Sequence, residues 1–70
     1  SNQLPGGGKI NINTADQKQL ESLPGIGPTY ARRIIQYRQE HGGFKTLEEL
    51  KKVSGIGEKR YQQLKDSIIL

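Results

Sequence analysis

Apolar residues recur at helical spacing in four places along this chain. Leu20 and Leu23 stand three apart in the first, and residues 17–23 read as a short helix. Ala31, Ile34 and Ile35 follow at i, i+3 and i+4, an amphipathic signature. Leu47, Leu50 and Val53 line a third helix, and Tyr61, Leu64 and Ile68 a fourth at i, i+3 and i+7. Between the first two helices lies Pro24-Gly25-Ile26-Gly27, a tight turn, and Pro28 suits the first position of the helix after it. Gly42-Gly43 ends that helix near His41. One short alternation, Lys9-Ile10-Asn11-Ile12-Asn13, breaks the helical pattern and reads as an extended lead-in whose isoleucines cover the core.

The pattern repeats. Leu20 through Gly27 superimposes on Leu50 through Gly57 with a constant offset of 30 positions. Asp16 aligns with Thr46 and Gln19 with Glu49, giving two candidate capping boxes, of which the Asp16 version is the weaker because the box proper uses Ser or Thr. A stable solenoid needs about three units. Two copies instead predict a pair of helix-turn-helix units packed face to face, an all-α domain of four main helices plus a short connector, with pseudo-twofold symmetry. Residues 1–8, SNQLPGGG, carry no charge and three consecutive glycines. They predict a disordered linker or a cloning remnant, with the domain spanning 9–70.

Each turn has the makings of an anion cradle. Glycine lets a partner approach the backbone without a Cβ in the way. The amides opening the next helix have no intrahelical acceptor, and the helix dipole adds positive potential there. The isoleucine between the glycines can plug into the core and hold the turn rigid. A single Gly-Ile-Gly is often no more than a tight turn between helices. Two at equal spacing, each followed by polar and basic residues, point to a grip on both strands of a duplex.

Composition narrows the function classes. Hydrophobic residues make up 31% of the 70-residue chain, enough for a thin core and too few for a deep substrate pocket. The absence of cysteine excludes disulfides, thiolate metal sites and cysteine nucleophiles. No apolar run is long enough to span a membrane, and no signal-peptide pattern is present. No catalytic set emerges either. The single histidine, His41, suits a helix C-terminus. Glu48 and Glu49 are adjacent and point about 100° apart on a helix. Ser22, Ser54 and Ser67 have no nearby base, and no Walker loop occurs. The net charge is +4, and the excess is shared: five basic against three acidic residues over 9–41, six against four over 42–70. Lys59 and Arg60, just past the second turn, are candidate phosphate contacts, as are Arg32 and Arg33 one turn into the earlier helix. Lys51 and Lys52 are placed to flank the duplex, whereas Arg38, Lys45, Lys18 and Lys65 read as solvated. Tyr30 suits either the groove or the core, Tyr37 and Tyr61 lean to the core, and Phe44 reads as a plug joining the units.

Leu23-Pro24-Gly25-Ile26-Gly27 and Val53-Ser54-Gly55-Ile56-Gly57 resemble the hairpins of tandem helix-hairpin-helix DNA-binding domains. The lead Ile10-Asn11-Ile12-Asn13-Thr14-Ala15-Asp16 and the joint Tyr37-Arg38-Gln39-Glu40-His41-Gly42-Gly43-Phe44-Lys45 are similar to the ComEA family, bacterial competence proteins that bind incoming DNA outside the cytoplasmic membrane. The resemblance covers about residues 9–70. It implies non-sequence-specific binding of double-stranded DNA, with the hairpins against the minor groove. It implies contacts from the backbone at Gly25, Ile26, Gly27, Gly55, Ile56 and Gly57, and from the helix starts at Thr29 and Lys59. Some family hairpins hold a monovalent cation on turn carbonyls; no other cofactor, no metal and no small-molecule substrate is expected. It further implies a monomeric receptor end, tethered at the extracytoplasmic face through an N-terminal anchor. Three features depart from the pattern: Ser54 replaces the proline seen at Pro24, Thr29 stands where Lys59 stands, and Glu58 opens the second helix where it would repel a phosphate. Two other readings fit the same residues. One is a DNA-targeting domain of a repair nuclease or ligase, then cytoplasmic. The other is a helical protein-interaction module.

Overall fold

The computed structural model describes residues 9–70; the linker reading of residues 1–8 lies outside the described residues. The chain forms β1 (Ile10–Asn11), α1 (Gln17–Glu21), α2 (Pro28–His41), a 3-10 helix (Leu47–Lys52), α3 (Glu58–Leu64), a short 3-10 turn (Lys65–Ser67) and β2 (Ile68–Ile69). The fold is mostly helical, with four main helices and one two-residue strand pairing.

The repeat seen in the sequence is the repeat of the core. Leu20 and Leu50, Leu23 and Val53, Ile26 and Ile56, Ala31 and Tyr61, Ile34 and Leu64 are all buried, and each pair differs by the same 30 positions. Ile10, Ile12, Ala15, Phe44 and Ile68 complete the cluster. No charged or polar residue is buried among the described residues, so burial here is driven by apolar area alone, roughly 1.5–3 kcal/mol for each large side chain.

Local chemistry decides where each helix starts and stops, and it departs from the sequence reading in four places. The Asp16 box, expected to be the weaker, is the one that forms: Asp16 Oδ1 accepts the Gln19 amide at 2.8 Å, and Gln19 Oε1 accepts the Asp16 amide at 3.0 Å. The Thr46 side chain makes no capping bond. Glu49 reaches one residue further back instead, where its Oε1 accepts the Lys45 amide at 2.5 Å; that bond holds the Glu49 carboxyl below its usual range. Helix α1 ends at Glu21 rather than residue 23, because the Ser22 hydroxyl donates to Gln19 O at 2.6 Å and Leu23 takes a tight bond to Leu20 O. The third helix is 3-10, not α. Its apolar residues Leu47, Leu50 and Val53 repeat every third position, which a helix of three residues per turn aligns on one line.

The fourth departure is at the C-terminus. Ile68 does not extend α3. The chain tightens at Lys65–Ser67 and then runs extended, pairing in parallel with the lead-in: Ile10 opposite Ile68, Asn11 opposite Ile69. The Ile12 amide donates to Ile69 O at 3.0 Å. Ile68 is buried as expected, but from a strand. The lead-in is tied at two further points. Asn13 clamps the joint between the units, its Oδ1 accepting the Phe44 amide at 2.6 Å and its Nδ2 donating to Phe44 O at 3.0 Å. Arg38, expected to be solvated, donates from Nη1 to Ile12 O at 3.1 Å. Phe44 plugs the core and stacks on Tyr37 with ring centroids 4.9 Å apart. The sequence blocks that flank the hairpins therefore serve to join the two repeats.

Candidate nucleic-acid interface

Each hairpin is closed by its own backbone. The Ile26 amide donates to Leu23 O at 3.1 Å, and the Ile56 amide to Val53 O at 3.0 Å. Ile26 and Ile56 then point inward and are buried, anchoring the turns from below. Gly25 and Gly55 adopt left-handed φ of 75° and 93°, a region an L side chain enters only at a cost.

The second glycine of each motif has a different reason to be there. Gly27 and Gly57 are the N-caps of α2 and α3 with ordinary extended backbone. A Cβ at either position would meet nothing within 4 Å. Neither conformation nor packing demands glycine, and what glycine leaves is clearance in front of the helix. Behind that clearance stand the first amides of each helix. Gly27 O accepts from Ala31 and Gly57 O from Tyr61, both at 2.9 Å. The amides of Gly27, Thr29 and Tyr30, and those of Gly57, Glu58, Lys59 and Arg60, have no hydrogen-bond partner among the described residues. Thr29 and Lys59 are exposed on this rim. Arg32 is exposed without a salt-bridge or hydrogen-bond partner among the described residues, as is Lys52.

Side chains of each repeat reach the hairpin of the other and meet one another, which links the two turns. Arg60 Nη1 donates to Gly25 O at 2.9 Å, from the second repeat to the first hairpin. Arg33 Nη1 donates to Ser54 O at 3.2 Å, from the first repeat to the second hairpin. Tyr30, half-buried, lies between them, with its ring centroid 4.8 Å from Arg60 Cζ and 5.6 Å from Arg33 Cζ. Arg33 and Arg60, two of the three arginines singled out in the sequence for phosphate contact, are thus also bonded within the protein. A guanidinium has five donors, so each retains others with no partner among the described residues. Because Gly25 O and Ser54 O already meet a guanidinium, a monovalent cation at either hairpin would compete with Arg60 or Arg33 for them.

Glu58, the residue expected to repel a phosphate, is partly neutralised. Its Oε1 lies 2.9 Å from Lys51 Nζ, and its Oε2 accepts from Gln62 at 2.6 Å. These contacts, with Lys51 first, hold the Glu58 carboxyl below its usual range, and Glu58 raises Lys51 in turn. The sign follows: the pair is intact above the ordinary carboxylate pKa and is lost as pH falls through the depressed value. Lys51 also sits 5.2 Å from the Tyr61 ring centroid, so it leans towards α3 while staying exposed. Glu58→Gln is expected to release Lys51 and remove one negative charge from the second hairpin. Duplex affinity should then rise roughly 3- to 10-fold at low salt, with the salt slope steeper by about 0.9. An unchanged slope in a salt titration of the variant would show that Glu58 lies outside the contacted surface.

Among the described residues, no three of His, Asp and Glu stand close enough to hold a metal ion, and no helix is long and apolar enough to cross a membrane.

Comparison with known proteins agrees with this geometry. The helix-hairpin-helix motif model matches residues 6–69. ComE operon protein 1 of Bacillus subtilis is 50% identical over 62 residues, covering 89% of this chain and 30% of that protein. Endonuclease/exonuclease/phosphatase family domain-containing protein 1 of Homo sapiens is 44% identical over 68 residues, covering 97% of this chain and 12% of that one. An uncharacterized protein of Haemophilus influenzae is 45% identical over 62 residues, 87% of this chain and 55% of its own length. The chain therefore spans a minor part of the first two relatives and about half of the third. With the hairpin present twice and the family model covering nearly the whole length, the chain belongs to the helix-hairpin-helix family, whose hairpins bind DNA.

Proposed function

We propose that this domain binds double-stranded DNA without sequence preference, holding the backbone of both strands through its two hairpins. One observation carries the reading: two open N-cap glycines each front a set of unpartnered amides, and their hairpins are linked to each other through Arg60, Tyr30 and Arg33. Main-chain amides recognise phosphate oxygens, and such contacts carry no base information. The amides of Gly27 and Thr29, and those of Gly57 and Lys59, supply the phosphate contacts, with Gly25 and Gly55 shaping the turns; the Ile26 and Ile56 amides, already bonded within the turns, hold them closed instead. Arg32, and the remaining donors of Arg33 and Arg60, add positive charge beside these contacts. Double-stranded DNA is the partner, and the reading calls for no catalysis and no small-molecule substrate.

The likeness to ComE operon protein 1 supports a place in bacterial DNA uptake. There the domain is the DNA-receiving end of a longer protein, monomeric in itself and held at the extracytoplasmic face by a membrane anchor elsewhere in that protein. The likeness to the endonuclease/exonuclease/phosphatase family protein favours a second reading, a domain that delivers a nuclease to DNA. The full-length sequence separates the two, since an apolar anchor fits the receptor and a metal-carboxylate domain fits the nuclease.

The test is a titration of short duplexes of unrelated sequence at several salt concentrations. If about four phosphates are neutralised, log K falls against log salt with a slope of about −3.6, alike for every sequence. A flat response would remove the DNA reading and leave a protein-interaction module.

A further inference from the structure

The contacts between the two hairpins are an exchange made twice. With the 30-residue offset, Tyr30 corresponds to Arg60 and Arg33 to Gln63. A Cβ on Gly25 would stand 2.7 Å from Arg60 Nη1 and 3.9 Å from Gln63 Oε1. A Cβ on Gly55 would run into Tyr30 Cε1 and stand 3.0 Å from Arg33 Nη1. The same two positions of each repeat therefore press on the opposite hairpin. Neither hairpin needs this contact to form, since each turn is closed by its own backbone bond and anchored by its own isoleucine. What the exchange adds is a fixed relation between the turns. The Tyr30 ring, held between two guanidiniums, is attracted to both, and each guanidinium is bonded to a carbonyl of the turn contributed by the other repeat.

We propose that this clasp, Tyr30 between Arg33 and Arg60, is the positioning element that sets the hairpin spacing, and that preference for duplex over single-stranded DNA comes from that spacing. The inference rests on the duplex-binding reading. A duplex offers its two backbones at a set separation across a groove. Two amide sets engage both at once only if their own separation is held to match, and then the second contact forms at high effective concentration. A single strand is flexible and adapts to two loosely held sites. Loosening the clasp thus removes the duplex advantage and leaves single-strand binding as it was. Tyr30 and Arg60 are in this sense positioning residues.

The test compares affinity and salt slope for a short duplex and for one of its single strands. Tyr30→Ala changes no charge, so charge counting alone predicts no effect. With the clasp, its duplex affinity falls roughly 10-fold and its duplex slope drops from about −3.6 to about −1.8, because only one hairpin engages at a time. Its single-strand affinity stays within about twofold. Arg60→Ala and Lys59→Ala remove equal charge, but only the first should halve the slope; the second should lower it by about 0.9. The exchange Tyr30→Arg with Arg60→Tyr should regain duplex preference that each single change loses, because position 60 faces Gly25 as position 30 faces Gly55. Thermal melting accompanies each variant. If Tyr30→Ala does not fold, the Arg60→Ala and Lys59→Ala pair decides. Equal slopes in that pair, equal losses on duplex and single strand, or an exchanged variant no better than its single changes would overturn the clasp. Parent protein with a flat salt response would instead bring down the duplex reading, and the clasp with it.

Discussion

Replacing both Gly27 and Gly57 with asparagine is expected to leave the fold at least as stable as the parent and to weaken duplex binding roughly 100-fold. Both glycines are helix N-caps with extended backbone and open space in front of them. Asparagine is among the best N-cap residues, and its side-chain oxygen accepts an amide of the first helical turn. That amide is one of the donors a phosphate would otherwise receive. The new side chain also occupies the clearance through which the backbone of DNA would approach. Losing one charge-assisted hydrogen bond at each hairpin costs about 1.5 kcal/mol apiece, together about two orders of magnitude in affinity. Asparagine leaves the net charge alone, so any loss cannot be traced to bulk field. Melting and duplex titration on one sample decide the matter. A variant that melts at or above the parent temperature and still binds as tightly would mean the amides are not the contact.

Gly25 and Gly55 should fail in the opposite manner, through the fold. Gly55→Ala is expected to cost about 3 kcal/mol, roughly 12–24 °C in melting temperature for a domain of this size. Alanine at φ 93° is strained in itself, and its Cβ would collide with the Tyr30 ring. That ring packs against the core and cannot simply swing aside. Gly25→Ala should cost less, about 1–2 kcal/mol. Its φ is 75°, and the atom in the way is the tip of the Arg60 side chain at 2.7 Å, which can move at the expense of its bond to Gly25 O. The rank order is the informative part. Equal losses at the two sites in thermal or denaturant unfolding would show that backbone strain alone sets the cost and that Tyr30 is not fixed.

Taken together, the four glycines divide one motif into two tasks. The first of each pair lets the chain turn and makes room for a side chain from the other repeat. The second lets something from outside come close. Nothing in the string Gly-Ile-Gly distinguishes these tasks, because both ask only for a missing Cβ. The distinction depends on what faces each position, and that is set by how the repeats dock.

The sequence alone determined the doubled unit, the two turns, the buried isoleucine in each, the bounds of the long helix at Pro28 and Gly42, and nearly every core position. These rest on forces between near neighbours: apolar spacing, a proline without its amide, a glycine where a helix stops. Tertiary structure decided the rest. It drew Ile68 out of the last helix to pair with Ile10. It also bound Arg60 to Gly25 and Arg33 to Ser54, turning expected surface cations into links between hairpins. Each of these joins residues whose meeting depends on the packing of one repeat against the other, and a carbonyl or an unpaired strand accepts whichever donor that packing brings within reach.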